Sequence, residues 1–163
     1  MKKKLIGSMC LLSTVLVLNG FAGGHGKQGV EALSQDIRDL LTKEMVAIQE
    51  GMISMYPQMV AGDFEYVAQM ATKIKKSFIL KQNLTKEQKK ELGKKLPAAF
   101  IALDREFHDD AGMLNVAANK KNIDLVNFYY SKMTKNCMSC HSQFAQKKFP
   151  AFKMSLKNAN GGH

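Results

Sequence analysis

The chain has 163 residues, which fits one domain of ordinary size. Its formal net charge is +10, a moderate electrostatic lever toward acidic partners. No recognisable nucleic-acid-binding motif accompanies that charge, so nucleic acid is not expected as a partner.

The first residues read as an export signal rather than as part of the fold. Lys2, Lys3 and Lys4 form a basic start, and residues 5–18 run apolar apart from small or polar residues such as Gly7, Ser8, Ser13 and Thr14. Asn19-Gly20-Phe21-Ala22 then sets small residues at the two positions that a signal peptidase reads, with cleavage after Ala22. The apolar run is too short for a comfortable membrane span, so no stable insertion is expected once it is removed. Cys10 goes with it. Cleavage leaves 141 residues and, with three lysines and no acid lost, a charge of +7. The expected location is the periplasm. Cleavage would also expose Gly23-Gly24-His25, an amine, two amides and an imidazole able to surround Cu(II) or Ni(II) in a plane, although Gly-rich ends are usually spacers.

Residues 23–33 read as a flexible tail, residues 34–150 as a four-helix domain and residues 151–163 as a second tail. Apolar residues recur every three to four positions in four stripes, and no alternating run points to a strand. The first stripe is Ile37, Leu41, Met45, Ile48, Met52, Met55 and Met59. The second is Phe64, Val67, Ala71, Ile74 and Phe78; the third is Leu96, Phe100, Leu103, Phe107 and Leu114. The fourth is Val126, Tyr130, Met133, Cys137, Cys140 and Phe144. Each suits an amphipathic helix.

The breaks carry helix signals. Ser34 is placed to cap the first helix, and Gly62-Asp63 to end it and cap the second. Thr85 and Gln88 have capping-box spacing, and Pro97 stands where a helix can begin, so residues 86–95 read as a short separate helix. Asn122 or Asp124 opens the fourth helix, and Phe149-Pro150 marks its end. The expected fold is all-α, an antiparallel four-helix bundle whose one long connection is residues 81–96.

Within the fourth helix stands Cys137-Met138-Ser139-Cys140-His141. Two thiols separated by two residues suit addition to the two vinyl groups of one porphyrin edge, and the next residue aims an imidazole at the iron. This is the pattern of covalent c-type haem attachment, with Cys137 and Cys140 holding one haem and His141 ligating its iron. A disulfide across so small a loop would stabilise little. A structural zinc site would need about four ligands, and only His25, His108 and His163 remain as nitrogen donors. A thioredoxin-type pair would follow a strand, and none is expected.

With this motif near the C-terminus of four helical stripes, the whole exported chain resembles the cytochrome c-prime family, the class II c-type cytochromes. Met45-Val46-Ala47-Ile48 and the turn Ala61-Gly62-Asp63-Phe64 with Val67-Ala68 also look like the family. The resemblance implies one haem c per chain inside a four-helix bundle. It puts the distal iron position at or next to Met45, which would make Met45 the second axial ligand, with Met52 the next candidate. His/Met ligation implies a periplasmic one-electron carrier rather than an enzyme. A vacant distal position implies instead a five-coordinate protein that binds nitric oxide or carbon monoxide. Many relatives carry a basic residue four positions after the ligating histidine; here Ala145 stands there, and Phe144 where tyrosine is common. Relatives often dimerise through their first two helices, which leaves a homodimer open.

Two basic segments, Lys73, Lys75, Lys76 and Lys86, Lys89, Lys90, Lys94, Lys95, read as solvated faces or as docking patches for an acidic redox partner. His108 reads as a surface histidine near carboxylates.

Overall fold

The computed structural model describes residues 29–76 and 84–152. The expected signal segment, the Gly23-Gly24-His25 end, Phe78, and the second tail from residue 153 lie outside the described residues.

Helix α1, Gln35–Ala61, carries a buried face of Ile37, Glu44, Ile48, Gly51, Met52 and Met55. Gly62 ends it with φ 76°, the left-handed region that a residue without Cβ adopts freely. Helix α2, Phe64–Lys75, opens from Asp63, whose carboxylate accepts the Tyr66 N–H at 3.0 Å. Helix α3, Lys86–Lys95, is the short extra helix, and the Thr85–Gln88 capping box closes its start in both directions. Helix α4, Ala98–Asn119, begins directly after Pro97. Helix α5, Ile123–Phe144, is capped by Asn122, which accepts the Leu125 N–H at 3.0 Å. Among the described residues there is no strand. The chain is all-α, with α1, α2, α4 and α5 as the four-helix bundle. None of its described helices is long and apolar enough to cross a membrane.

The expected Ser34 cap is replaced by a tertiary one. The Ser34 side chain makes no capping bond to α1. Instead Glu91 of α3 accepts the Ser34 N–H at 2.8 Å and the Ser34 hydroxyl at 3.1 Å, setting a carboxylate at the helix N-terminus, where the backbone dipole favours it. Gln88 donates to Asp36 at 2.8 Å beside it. These bonds dock α3 against the start of α1.

Two apolar clusters hold the bundle. The larger runs through Ile48, Met52, Met55, Val67, Ala71, Ile74, Phe107, Leu114, Val126 and Met133. The smaller, at the other end, joins Leu33, Ile37, Leu96 and Phe100, with Leu41, Leu92, Cys140 and Phe144 packed against it. Ile37, Met55, Ile74, Leu114 and Met133 are fully buried, each contributing roughly 1.5–3 kcal/mol relative to exposure. Gly29–Leu33, within the stretch read as a tail, lies on the smaller cluster: Leu33 is buried, and a Cβ on Gly29 would stand 2.8 Å from the Phe144 carbonyl oxygen.

Polar clamps fix the remaining seams. Asn115 donates to the Ala68 carbonyl and to the Thr72 hydroxyl, both at 2.9 Å, tying α4 to α2. Between α4 and α5, Asp110 accepts from Lys132 at 2.9 Å and from Asn136 at 3.1 Å. Close backbone packing joins α4 to α5, α2 to α4 and α1 to α2, while α1 and α5 approach each other less extensively. Cys140 of α5 packs onto a cluster to which both α1 and α4 contribute.

Candidate haem site

Cys137 and Cys140 lie three residues apart on α5, so one helical turn carries both thiols on one face. Both are free thiols and half-buried. Cys137 packs against the larger apolar cluster and Cys140 against the smaller one. The pair therefore straddles the junction between the two clusters.

Burial pushes both thiols up. Cys140 reaches about 11, chiefly from burial and then from the nearby charges of Asp104 and Cys137. Cys137 is raised by burial as well. Neutral thiols in apolar surroundings are poor nucleophiles and poor thiolate ligands, which argues against redox exchange or zinc binding at this pair. Among the described residues no group of three or more His, Cys, Asp or Glu side chains could hold a metal ion.

His141 follows on the same helix, half-buried, its ring stacked on Phe149 with centroids 4.1 Å apart and planes 17° from parallel. Burial lowers its pKa first, and the charge of Lys148 lowers it further. Both effects keep the imidazole neutral, the form that donates a lone pair to iron.

The facing surface belongs to α1, running antiparallel to α5. Ile37 and Leu41 share the smaller cluster with Cys140 and Phe144, and the Met52 carbonyl accepts the Tyr130 hydroxyl at 2.9 Å. The α1 residues between those contacts stand across from Cys137. The buried line there passes through Glu44, only 1% exposed, whereas Met45 lies at the edge of the face, 36% exposed. A stripe counted as Leu41, Met45, Ile48 is therefore shifted by one residue at its middle position. Farther along the seam an open cleft of about 380 Å³ runs between Tyr56 and Met59 of α1 and Tyr130 and Met138 of α5.

His108 is not a free surface histidine. Its side chain is 14% exposed, its Nδ1 stands 2.7 Å from the Ile74 carbonyl on α2, and Nε2 lies 3.7 Å from Asp104. It is a clamp between α2 and α4. Phe149, Glu44 and Glu91 were not readable as parts of this region: Glu91 acts on Ser34 across 57 residues, Phe149 reaches His141 only through the turn after α5, and a carboxylate on a buried stripe looks like a break in the pattern.

A family model described as Cytochrome C' matches residues 32–145, most of the chain. The chain belongs to the cytochrome C' family. No curated protein and no solved structure matched. Membership implies covalently bound haem c with iron, and the residues present fit that group. Two neutral thiols sit one turn apart at a junction of apolar clusters, followed by a neutral imidazole. Cys137 and Cys140 would hold the porphyrin edge, His141 would bind the iron, and the bundle would keep water from the ring. A bound haem iron would supply reversible one-electron chemistry or a seat for a small ligand. The protein's part is to fix the proximal ring and to choose what occupies the opposite side.

Proposed function

We propose that this cytochrome carries one electron on a single haem, with His141 and Met45 as axial ligands, after export to the periplasm. The observation that supports the reading is the register of α1 against α5. The shared cluster of Ile37, Leu41 and Cys140 on one side and the Tyr130–Met52 bond on the other bracket Met45 opposite Cys137. Met45 is long and unbranched and stands at the rim of the seam, so ligation would need its flexible side chain to turn inward. Thioether ligation favours ferrous iron and raises the potential, as suits a carrier.

The partner of such a carrier would be an acidic redox protein. Helix α3 supports this. Its Glu91 holds Ser34 and pairs with Lys95 at 2.7 Å, while Lys86, Lys89, Lys90 and Lys94 stay exposed. Leu92 and Leu96 pack this helix and its end into the cluster that contains Cys140. A row of lysines is thus fixed at the haem-bearing end, where long-range attraction would orient an encounter.

A second reading is favoured by one observation. Glu44 and Leu41 are more buried than Met45, and if Met45 stays at the rim the iron is five-coordinate and open to nitric oxide or carbon monoxide. An absorption spectrum of the holoprotein in both oxidation states separates the two. Low-spin bands that turn high-spin in Met45→Ala, with carbon monoxide binding gained on reduction, support the carrier. Met52→Ala should cost about 2–5 kcal/mol of stability and keep the spin state. High-spin bands in the wild type overturn His/Met ligation.

A further inference from the structure

The chain leaves α5 in a way that bears on the ligating histidine. Ala145 departs from helical geometry with φ −134° and ψ 31°, while its N–H still donates to the His141 carbonyl at 3.2 Å. The Lys148 and Phe149 N–H groups then both donate to the Ala145 carbonyl at 3.0 Å. These three bonds wind the chain into a tight turn that brings Phe149 back along the last turn of the helix. The result is the near-parallel stack of Phe149 on His141.

Nothing else on the described surface orients that imidazole. Among the described residues no hydrogen bond reaches either ring nitrogen of His141. A metal-bound histidine ordinarily has its second ring nitrogen fixed by a carboxylate, a backbone carbonyl or water. Here a flat aromatic face does the fixing. Face-on contact covers the plane of the imidazole and leaves its edge, where the coordinating nitrogen lies, uncovered. It resists rotation about the Cβ–Cγ bond, because turning the ring out of parallel drives its edge into the phenyl group.

We propose that Phe149 is the positioning residue for the proximal iron ligand, holding the His141 imidazole in one rotation by stacking rather than by a hydrogen bond. The proposal rests on His141 ligating the haem iron, not on which distal group is present. Rotation of the imidazole about its bond to iron sets how its π orbitals overlap the iron d orbitals. That overlap governs how unpaired spin spreads over the four ring methyl groups of the porphyrin.

Proton NMR of the ferric holoprotein reads this directly. Wild type should give one set of haem-methyl resonances, together with hyperfine-shifted ring protons of His141. Phe149→Leu keeps apolar bulk but removes the flat face, and should give a second set of methyl resonances or a clearly altered spread. Phe149→Tyr keeps the face and should retain the wild-type pattern. Phe128→Leu, at an exposed site on α5, should change nothing. If Phe149→Leu does not fold, Phe149→Met, flexible and of similar bulk, carries the same expectation. Absence of shifted His141 protons in the wild type would overturn the ligand assignment and this proposal with it. Their presence with a wild-type methyl pattern in Phe149→Leu or Phe149→Met would overturn the proposal alone, as would loss of the pattern in Phe149→Tyr.

Discussion

Asp110→Ala should destabilise the folded holoprotein by about 2–4 kcal/mol, and the reasoning starts from what its carboxylate holds. Asp110 is 4% exposed and accepts from Lys132 at 2.9 Å and from Asn136 at 3.1 Å. The two donors have different alternatives. Lys132 lies at the surface, 3.6 Å from Glu106, and simply turns to water, so its loss counts for little. Asn136 is 6% exposed and has nowhere to turn. Leaving its amide unpaired costs about 1–3 kcal/mol, and the cavity left by the carboxylate adds to that. Asn136 immediately precedes Cys137, so the strain falls on the turn that carries Cys137. Urea unfolding of wild type and variant, followed by far-ultraviolet dichroism with haem attached, gives the difference directly. Asp110→Ala combined with Asn136→Leu should recover part of the loss, because no buried donor then remains unpaired. A single variant within 0.5 kcal/mol of wild type, or a double variant worse than the sum of both singles, would refute this account.

Replacing Cys137 and Cys140 together by Ala should leave haem extractable by acidified organic solvent, while the wild type retains it; haem that washes out of the wild type would remove covalent attachment. Acid titration tests the surroundings of His141. Burial and then Lys148 lower its pKa, so protons compete less for the ring and ligation should persist to lower pH than for an exposed histidine. Lys148→Glu reverses the second effect, and acid loss of the ligated absorption bands should begin at higher pH; a shift to lower pH would contradict the assigned cause.

The helices and their ends were legible because their determinants are local. Gly62 at the end of α1, the Asp63 and Asn122 caps and the Thr85–Gln88 box each act within about one turn of chain, and the period of apolar residues reports a helix wherever it buries. The haem motif was legible for the same reason, since two thiols and an imidazole within five residues carry their own geometry. Met45 shows where this stops. A residue four after Leu41 and three before Ile48 fits a stripe on paper, but the rotation of α1 against its neighbours turned Glu44 inward instead. The fourth helix ends at Phe144 rather than at Phe149-Pro150, because the turn after Ala145 closes on its own carbonyl before proline acts.

The sequence by itself determined that the chain is helical, where its long helices lie, and that one turn of the last carries two cysteines and a histidine in the spacing of a haem-attachment motif. Only the tertiary structure decided that Glu91 rather than the Ser34 side chain closes the start of α1, that Gly29–Leu33 packs onto the smaller cluster, and that Phe149 lies on His141. The division follows the range of the forces. Backbone hydrogen bonds and capping act over three or four residues and are written in the local order of the chain. Packing and charge act between surfaces brought together by the whole fold, and their partners have no fixed spacing along it.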